Sequence, residues 1–207
     1  MLAVMTLVDR INQAARRLPA WPIYIGGVLL PVWLFWQAAS GALGVDPIKA
    51  LEDRLGLWGL KLIVAGLCVT PLRRFARVNL IKYRRSIGLL AFLYIVLHFL
   101  TWLLLDLGLR WEQALGDIIK RPFITVGMVG LLAMIPLALT SNDRAIRWLG
   151  SARWQKLQKL AYLVALSGGV HFLWLVKAWP LEPFLYLGAI LGLLAVRVIP
   201  KRSRLAA

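Results

Sequence analysis

Long apolar runs, broken by short clusters of charged and turn residues, fill the chain. Reading those runs against Gly, Pro and charge predicts six helices, at about 21–40, 57–72, 86–107, 122–140, 157–176 and 181–199. Each is close to the roughly 20 residues that a helix needs to cross the hydrocarbon of a bilayer. Breakers mark the ends: Gly41–Pro47, Pro71–Arg74, Gly108–Arg110, Thr140–Asp143, Pro180 and Pro200. The longest connection is about 17 residues, too short for a separate domain, and no internal repeat or low-complexity tract stands out. The pattern is that of an all-α integral membrane protein, a single domain built as a six-helix transmembrane bundle.

Composition supports the pattern. Hydrophobic residues make up 60% and charged ones only 16%, with a mean hydropathy of +0.74. A soluble surface carries roughly a quarter charged residues, and a chain this apolar is not disordered. The net charge of +16 would suggest nucleic acid if the basic residues shared one wet face. They fall instead in bursts between apolar runs, so nucleic acid is set aside.

The bursts alternate. Segments 1–20, 73–85, 141–159 and 197–207 hold 18 of the 25 Lys and Arg residues, and the opposite side holds 7 of the 9 acids. The positive-inside rule then places both termini in the cytoplasm, with the basic face against anionic lipid. The stretch Trp21–Ala39, behind Arg10, Arg16 and Arg17, is too long for a signal-peptide core and reads as the first helix. The single Cys68 provides neither a disulfide framework nor a CxxCH haem attachment. Trp21, Trp33, Trp36, Trp102, Trp111, Trp174 and Trp179 fall near span ends, where aromatic belts form.

Only two histidines occur, His98 and His171, and both lie inside predicted spans. A polar, ionisable side chain within hydrocarbon is costly and marks function by default. The third and fifth helices run in the same direction, and the histidines lie 13 and about 14 residues in from their inner starts. Both imidazoles therefore reach one depth, in the outer half of the membrane. Two imidazoles from separate helices at one level are what a sandwiched haem iron needs as axial ligands. The alternatives are interhelical hydrogen bonding and a divalent metal site, the latter weakened by the lack of a nearby carboxylate in sequence.

The flanking residues fit a macrocycle. His98-Phe99-Leu100 and His171-Phe172-Leu173 are near copies, and Ser167-Gly168-Gly169 would admit a flat ring against the backbone. Ser167 and Thr101 are candidate partners for the second imidazole nitrogens. Arg110 and Lys177, farther outward, would pair with haem propionates. A second level lies about 20 Å inward, where Arg84 precedes His98 by 14 residues and Gln158 precedes His171 by 13. It would take a second haem, a quinol head group or a flavin, or else consist of an anchoring Arg and an end-of-helix Gln.

Taken together, GALGVDPIKALEDRLGLWGLK at 41–61, TPLRR at 70–74, the arginine pair before the third helix with LH at 97–98, KRPFITVG at 120–127, LALTSN at 137–142 and RWQKL…HFLW at 153–174 resemble one family. It is the MsrQ family, the haem-binding membrane subunit of the bacterial periplasmic protein-methionine-sulfoxide reductase system, within the ferric-reductase-like transmembrane group. The resemblance covers nearly the whole chain. It implies haem b held by His98 and His171 in the bacterial inner membrane. It also implies electrons arriving from quinol or a cytosolic flavin reductase and leaving to a periplasmic molybdenum-containing catalytic partner. FMN belongs to the family description, with no residue here to locate it. Gln158 stands where the family pattern commonly has a histidine, which bears on any inner haem.

No nucleophile–base pair, carboxylate dyad or phosphate loop is legible, so the chain reads as a non-catalytic electron-transfer subunit of an oxidoreductase. Two other readings stand beside it: a cofactor-free membrane anchor for a periplasmic enzyme, and a self-sufficient metal or quinone reductase. The latter would need a separate donor for want of a nucleotide-binding domain.

Overall fold

The computed structural model describes residues 6–176 and 180–198. Lys177, Trp179 and the C-terminal basic residues from Lys201 onward therefore lie outside the described residues. Every regular element among those described is helical: α1 (Leu7–Arg17), α2 (Trp21–Ala39), α3 (Pro47–Phe75), α4 (Arg84–Leu100), α5 (Trp111–Lys120), α6 (Pro122–Leu139), α7 (Asp143–Leu149), α8 (Ser151–Leu157), α9 (Leu160–Leu175) and α10 (Leu181–Val198). A short 3-10 turn, Ile81–Tyr83, leads into α4, and a π-helical segment, Thr101–Asp106, extends it.

Five of these are long and apolar enough to cross a membrane: α2, α3, α4 with its flanking turns, α6 and α10. The fifth expected span, 157–176, is realised as α9, which has 16 residues. At about 1.5 Å per residue it runs about 24 Å, short of the ~30 Å hydrocarbon thickness. The second expected span began at 57, but α3 starts ten residues earlier. Asp46 accepts the Lys49 amide at 3.0 Å and Pro47 occupies the first turn, a strong helix start. The early turns are amphipathic: Leu51 and Leu55 are buried while Asp53 and Arg54 face out. That mixed pattern is a packing face with a polar back, which a search for apolar runs passes over.

The helices α1, α5, α7 and α8 were not anticipated, being short or polar. Capping explains two of them: Thr6 and Asp9 form a reciprocal capping box on α1, and Asn142 accepts the Ala145 amide at 2.7 Å on α7. The first helix is tied to the 76–83 connection. Asn12 donates to the Arg77 carbonyl at 2.9 Å and accepts from the Asn79 amide at 2.8 Å, and the Tyr83 hydroxyl donates to Leu18 at 2.8 Å.

The most extensive contacts pair α3 with α4 and α6 with α9; α3–α10, α9–α10 and α4–α6 contacts join the two pairs. Leu34, Leu51, Leu55 and Tyr94 form one core layer, and Leu60, Leu67, Ala165 and Ile190 another. Small residues allow the approach: Gly27 backs onto Leu90 and Gly59 onto Ile95, where a Cβ would meet side-chain carbons at 2.4 and 2.5 Å. The outer surface remains apolar, with Leu29, Val32, Trp33 and Trp36 more than half exposed, as lipid contact requires. Inside, the Tyr94 hydroxyl donates to the Gly27 carbonyl at 2.9 Å. Replacing Tyr94 by Phe is expected to lower stability by about 1 kcal/mol, read from unfolding in detergent; an unchanged midpoint would show that bond to be energetically idle.

Candidate functional site

His98 lies near the C-terminal end of α4 and His171 near the C-terminal end of α9. The bundle brings them together with ring centroids 6.3 Å apart and ring planes at 76°. Two metal–imidazole bonds of about 2.0 Å, with each ligating nitrogen about 1.1 Å from its ring centre, put two centroids about 6.2 Å apart. The pair is spaced for one metal centre between the rings. Direct imidazole–imidazole hydrogen bonding is not what holds them.

Each ring is fixed by a backbone carbonyl. His98 Nδ1 lies 2.9 Å from the Glu52 carbonyl oxygen and His171 Nδ1 lies 2.6 Å from that of Phe123. A carbonyl has no proton to give, so Nδ1 donates in both cases and the lone pair is left on Nε2. A second-shell bond of this kind sets the tautomer and orientation of a ligating histidine. The partners are not the hydroxyls expected from sequence. Thr101 Oγ1 donates to Leu97 at 2.8 Å, and Ser167 is buried against Gly130.

A glycine one turn after each carbonyl makes room for the ring. A Cβ at Gly56 would come within 3.0 Å of His98 Nδ1, and one at Gly127 within 2.9 Å of His171 Nδ1. The two helix pairs thus use one device twice: carbonyl at 52 and glycine at 56 for His98, carbonyl at 123 and glycine at 127 for His171. The sequence echo is GLWGL at 56–60 and GMVGL at 127–131. This short echo was missed as sequence, because three shared residues in five do not rise above background in apolar helices.

The histidines open onto a cavity of about 730 Å³, inside the ~300–1,000 Å³ range of sites that enclose a small-molecule ligand. Its wall is mostly apolar, including Leu60, Ile95, Phe99, Met128 and Phe172, while Lys49, Asp53, Arg54, Asp106, Arg121 and Glu182 stand at the polar part of its lining. Lys49 pairs with Asp53 at 2.9 Å and Glu52 at 3.4 Å, and Arg121 with Asp117 at 3.1 Å. Among the described residues no three His, Cys, Asp or Glu side chains converge to cage a metal ion. What the pair offers is two Nε2 lone pairs beside a mostly apolar cavity.

The expected glycine strip divides. Gly168 lines the cavity, but Gly169 packs on α10, where a Cβ would meet Ile190 at 3.0 Å. Arg110 is exposed and bonds the Leu107 carbonyl at 2.8 Å, away from the cavity lining; Lys49, Arg54 and Arg121 are the basic groups there. Lys177 falls outside the described residues. Arg84 and Gln158 also lie off the cavity, at the opposite end of the bundle.

A family model, ferric reductase like transmembrane component, matches residues 55–169, more than half of the chain and including His98, with His171 two residues beyond its end. Closer relatives narrow the class. A protein-methionine-sulfoxide reductase heme-binding subunit MsrQ of Brucella anthropi is 45% identical over 184 residues, covering 89% of this chain and 83% of that protein. Proteins of the same name from Brucella ovis and Brucella canis are each 46% identical over 178 residues, covering 86% of this chain and 80% of theirs. No solved structure matches. The chain belongs to the MsrQ family, and it is a multi-pass membrane protein.

Proposed function

We propose that this chain is a membrane electron-transfer subunit that binds haem b between α4 and α9 through Nε2 of His98 and His171. The observation that carries the reading is the 6.3 Å pair of rings, each with Nδ1 held by a carbonyl. The relatives' printed name, heme-binding subunit, and the ferric-reductase-like match support it. Haem iron with two imidazole ligands supplies one-electron redox chemistry with no open position for a substrate. The residues do the rest. Glu52 and Phe123 carbonyls orient the ligands, Gly56 and Gly127 seat them, the apolar wall excludes water, and Lys49, Arg54 and Arg121 supply positive charge for propionates.

The same reading has six spans, with α9 as the sixth, both termini in the cytoplasm, and the protein in the bacterial inner membrane. Electrons come from the quinone pool or a cytosolic flavin reductase. They pass to a periplasmic molybdenum-containing methionine sulfoxide reductase, supporting repair of oxidised periplasmic proteins. One haem per chain is expected. At the inner level an arginine has no lone pair to give iron, and Gln158 offers only an amide oxygen.

Purified protein from haem-replete cells is expected to show haem b bands in a reduced-minus-oxidised spectrum, with close to one haem per polypeptide by pyridine haemochrome assay. No bands would reject the reading in favour of a cofactor-free anchor, and two haems per chain would reject the single-site version.

A further inference from the structure

The inner end of the bundle holds a second constellation, separate from the haem cavity. Arg197 on α10 donates through Nη2 to the Leu67 carbonyl of α3 at 2.6 Å, and its guanidinium carbon stands 5.0 Å over the Tyr162 ring of α9. So placed, its Nε is buried and has no hydrogen-bond partner among the described residues. Gln158, one turn before Tyr162, leaves Nε2 in the same condition. Arg84, at the start of α4, lies within electrostatic range of both Arg197 and Tyr162. Neither Arg84 nor Arg197 has a carboxylate partner among the described residues.

Two like charges within electrostatic range, with two orphaned N–H donors and no carboxylate partner among the described residues, are unfavourable unless an anion joins them. A buried charge left unmatched and a buried donor left unpartnered are both destabilising, because neither recovers the hydration it lost. The guanidinium fork matches phosphate oxygens in geometry as well as charge. Basic pockets between transmembrane helices at the cytoplasmic side are suited to lipid phosphates. This end of the bundle also carries Arg73, Arg77, Lys82 and Arg85, which draw anions toward it.

We propose that Arg84, Arg197 and the Gln158 amide form a phosphate-binding site where α3, α4, α9 and α10 meet, taking the phosphate of an anionic lipid head group or of a soluble phosphate. Arg84, which makes no hydrogen bond among the described residues, is the side chain that turns onto the anion; Arg197 is the fixed point.

The test uses the full-length haem-loaded protein, delipidated in detergent, with thermal unfolding followed as phosphatidylglycerol, phosphatidylcholine or inorganic phosphate is added. Phosphatidylglycerol is expected to raise the midpoint and phosphatidylcholine to leave it unchanged. In Arg197→Gln the concentration for half the shift should rise at least about tenfold. The charge-matched surface variant Arg147→Gln should behave as the parent. Gln158→Leu, which removes one orphan donor and folds without needing an anion, should also bind more weakly. A shift with inorganic phosphate alone assigns the site to a soluble phosphate, and a shift with phosphatidylglycerol only assigns it to the lipid. Equal shifts in Arg197→Gln, Gln158→Leu and the parent, or no shift with either phosphate source, overturn the proposal.

Discussion

Replacing His98 by alanine is expected to remove the haem b bands altogether, and His171→Ala to do the same, while the chain still inserts and folds. An iron held by two axial imidazoles loses half of its protein ligation when either goes, and the sequence has no third histidine to replace it. Beside the Glu52 carbonyl the deletion leaves a space shaped for the lost ring. Exogenous imidazole at millimolar concentration should therefore restore part of the haem in either variant. Rescue separates a ligand from a residue that merely packs the bundle, because a structural defect gains nothing from free imidazole. Full haem content in His98→Ala or in His171→Ala would remove that residue from the ligand set, and the proposed function with it.

The second large effect belongs to the glycines. In an exposed helix interior, Gly→Ala gains about 1 kcal/mol of helix stability. At Gly127 the new Cβ would stand 2.9 Å from His171 Nδ1, closer than carbon and nitrogen tolerate. The ring must move, and the Phe123 bond that fixes its tautomer is lengthened or lost. Losing such a partner costs about 10–100-fold in metal affinity. Gly127→Ala is thus expected to fold at least as well as the parent without haem, yet to bind haem about tenfold or more weakly. Gly56→Ala should act in the same direction on His98, where the approach is 3.0 Å. By contrast, Gly88→Ala, with nothing within 4 Å of the added carbon, should leave haem binding alone. Haem retention on dilution reads all three; parent-like retention in Gly127→Ala would show that the ring does not depend on its glycine seat.

These outcomes separate what was legible in one dimension from what was not. The membrane class, the approximate spans and the two histidines follow from the sequence, because burial in lipid demands apolar length and tolerates ionisable groups only at a cost. Boundaries were less legible. α3 begins at Pro47 because an amphipathic turn with Asp46 as its cap packs on α2 and α4, which an apolar-run reading cannot see. Local adjacency also misled: Ser167 and Thr101 sit one turn from the histidines, but the Thr101 hydroxyl bonds Leu97 and Ser167 packs against Gly130. The imidazoles instead reach across to carbonyls 46 and 48 residues away. Arg110, expected to pair with a propionate, bonds the Leu107 carbonyl off the cavity lining, while Arg121, more distant in sequence from His98, lines the cavity.

By itself, then, the sequence determined that this is a helical membrane protein with two imidazoles at one depth, since hydropathy and scarcity are properties of the chain alone. Only the tertiary structure decided which carbonyls hold those rings, which glycines seat them and which buried donors stand unpartnered at the far end. Each of those depends on how helices distant in sequence face one another, and helix-to-helix orientation is set by packing across the bundle, which no single stretch of residues encodes.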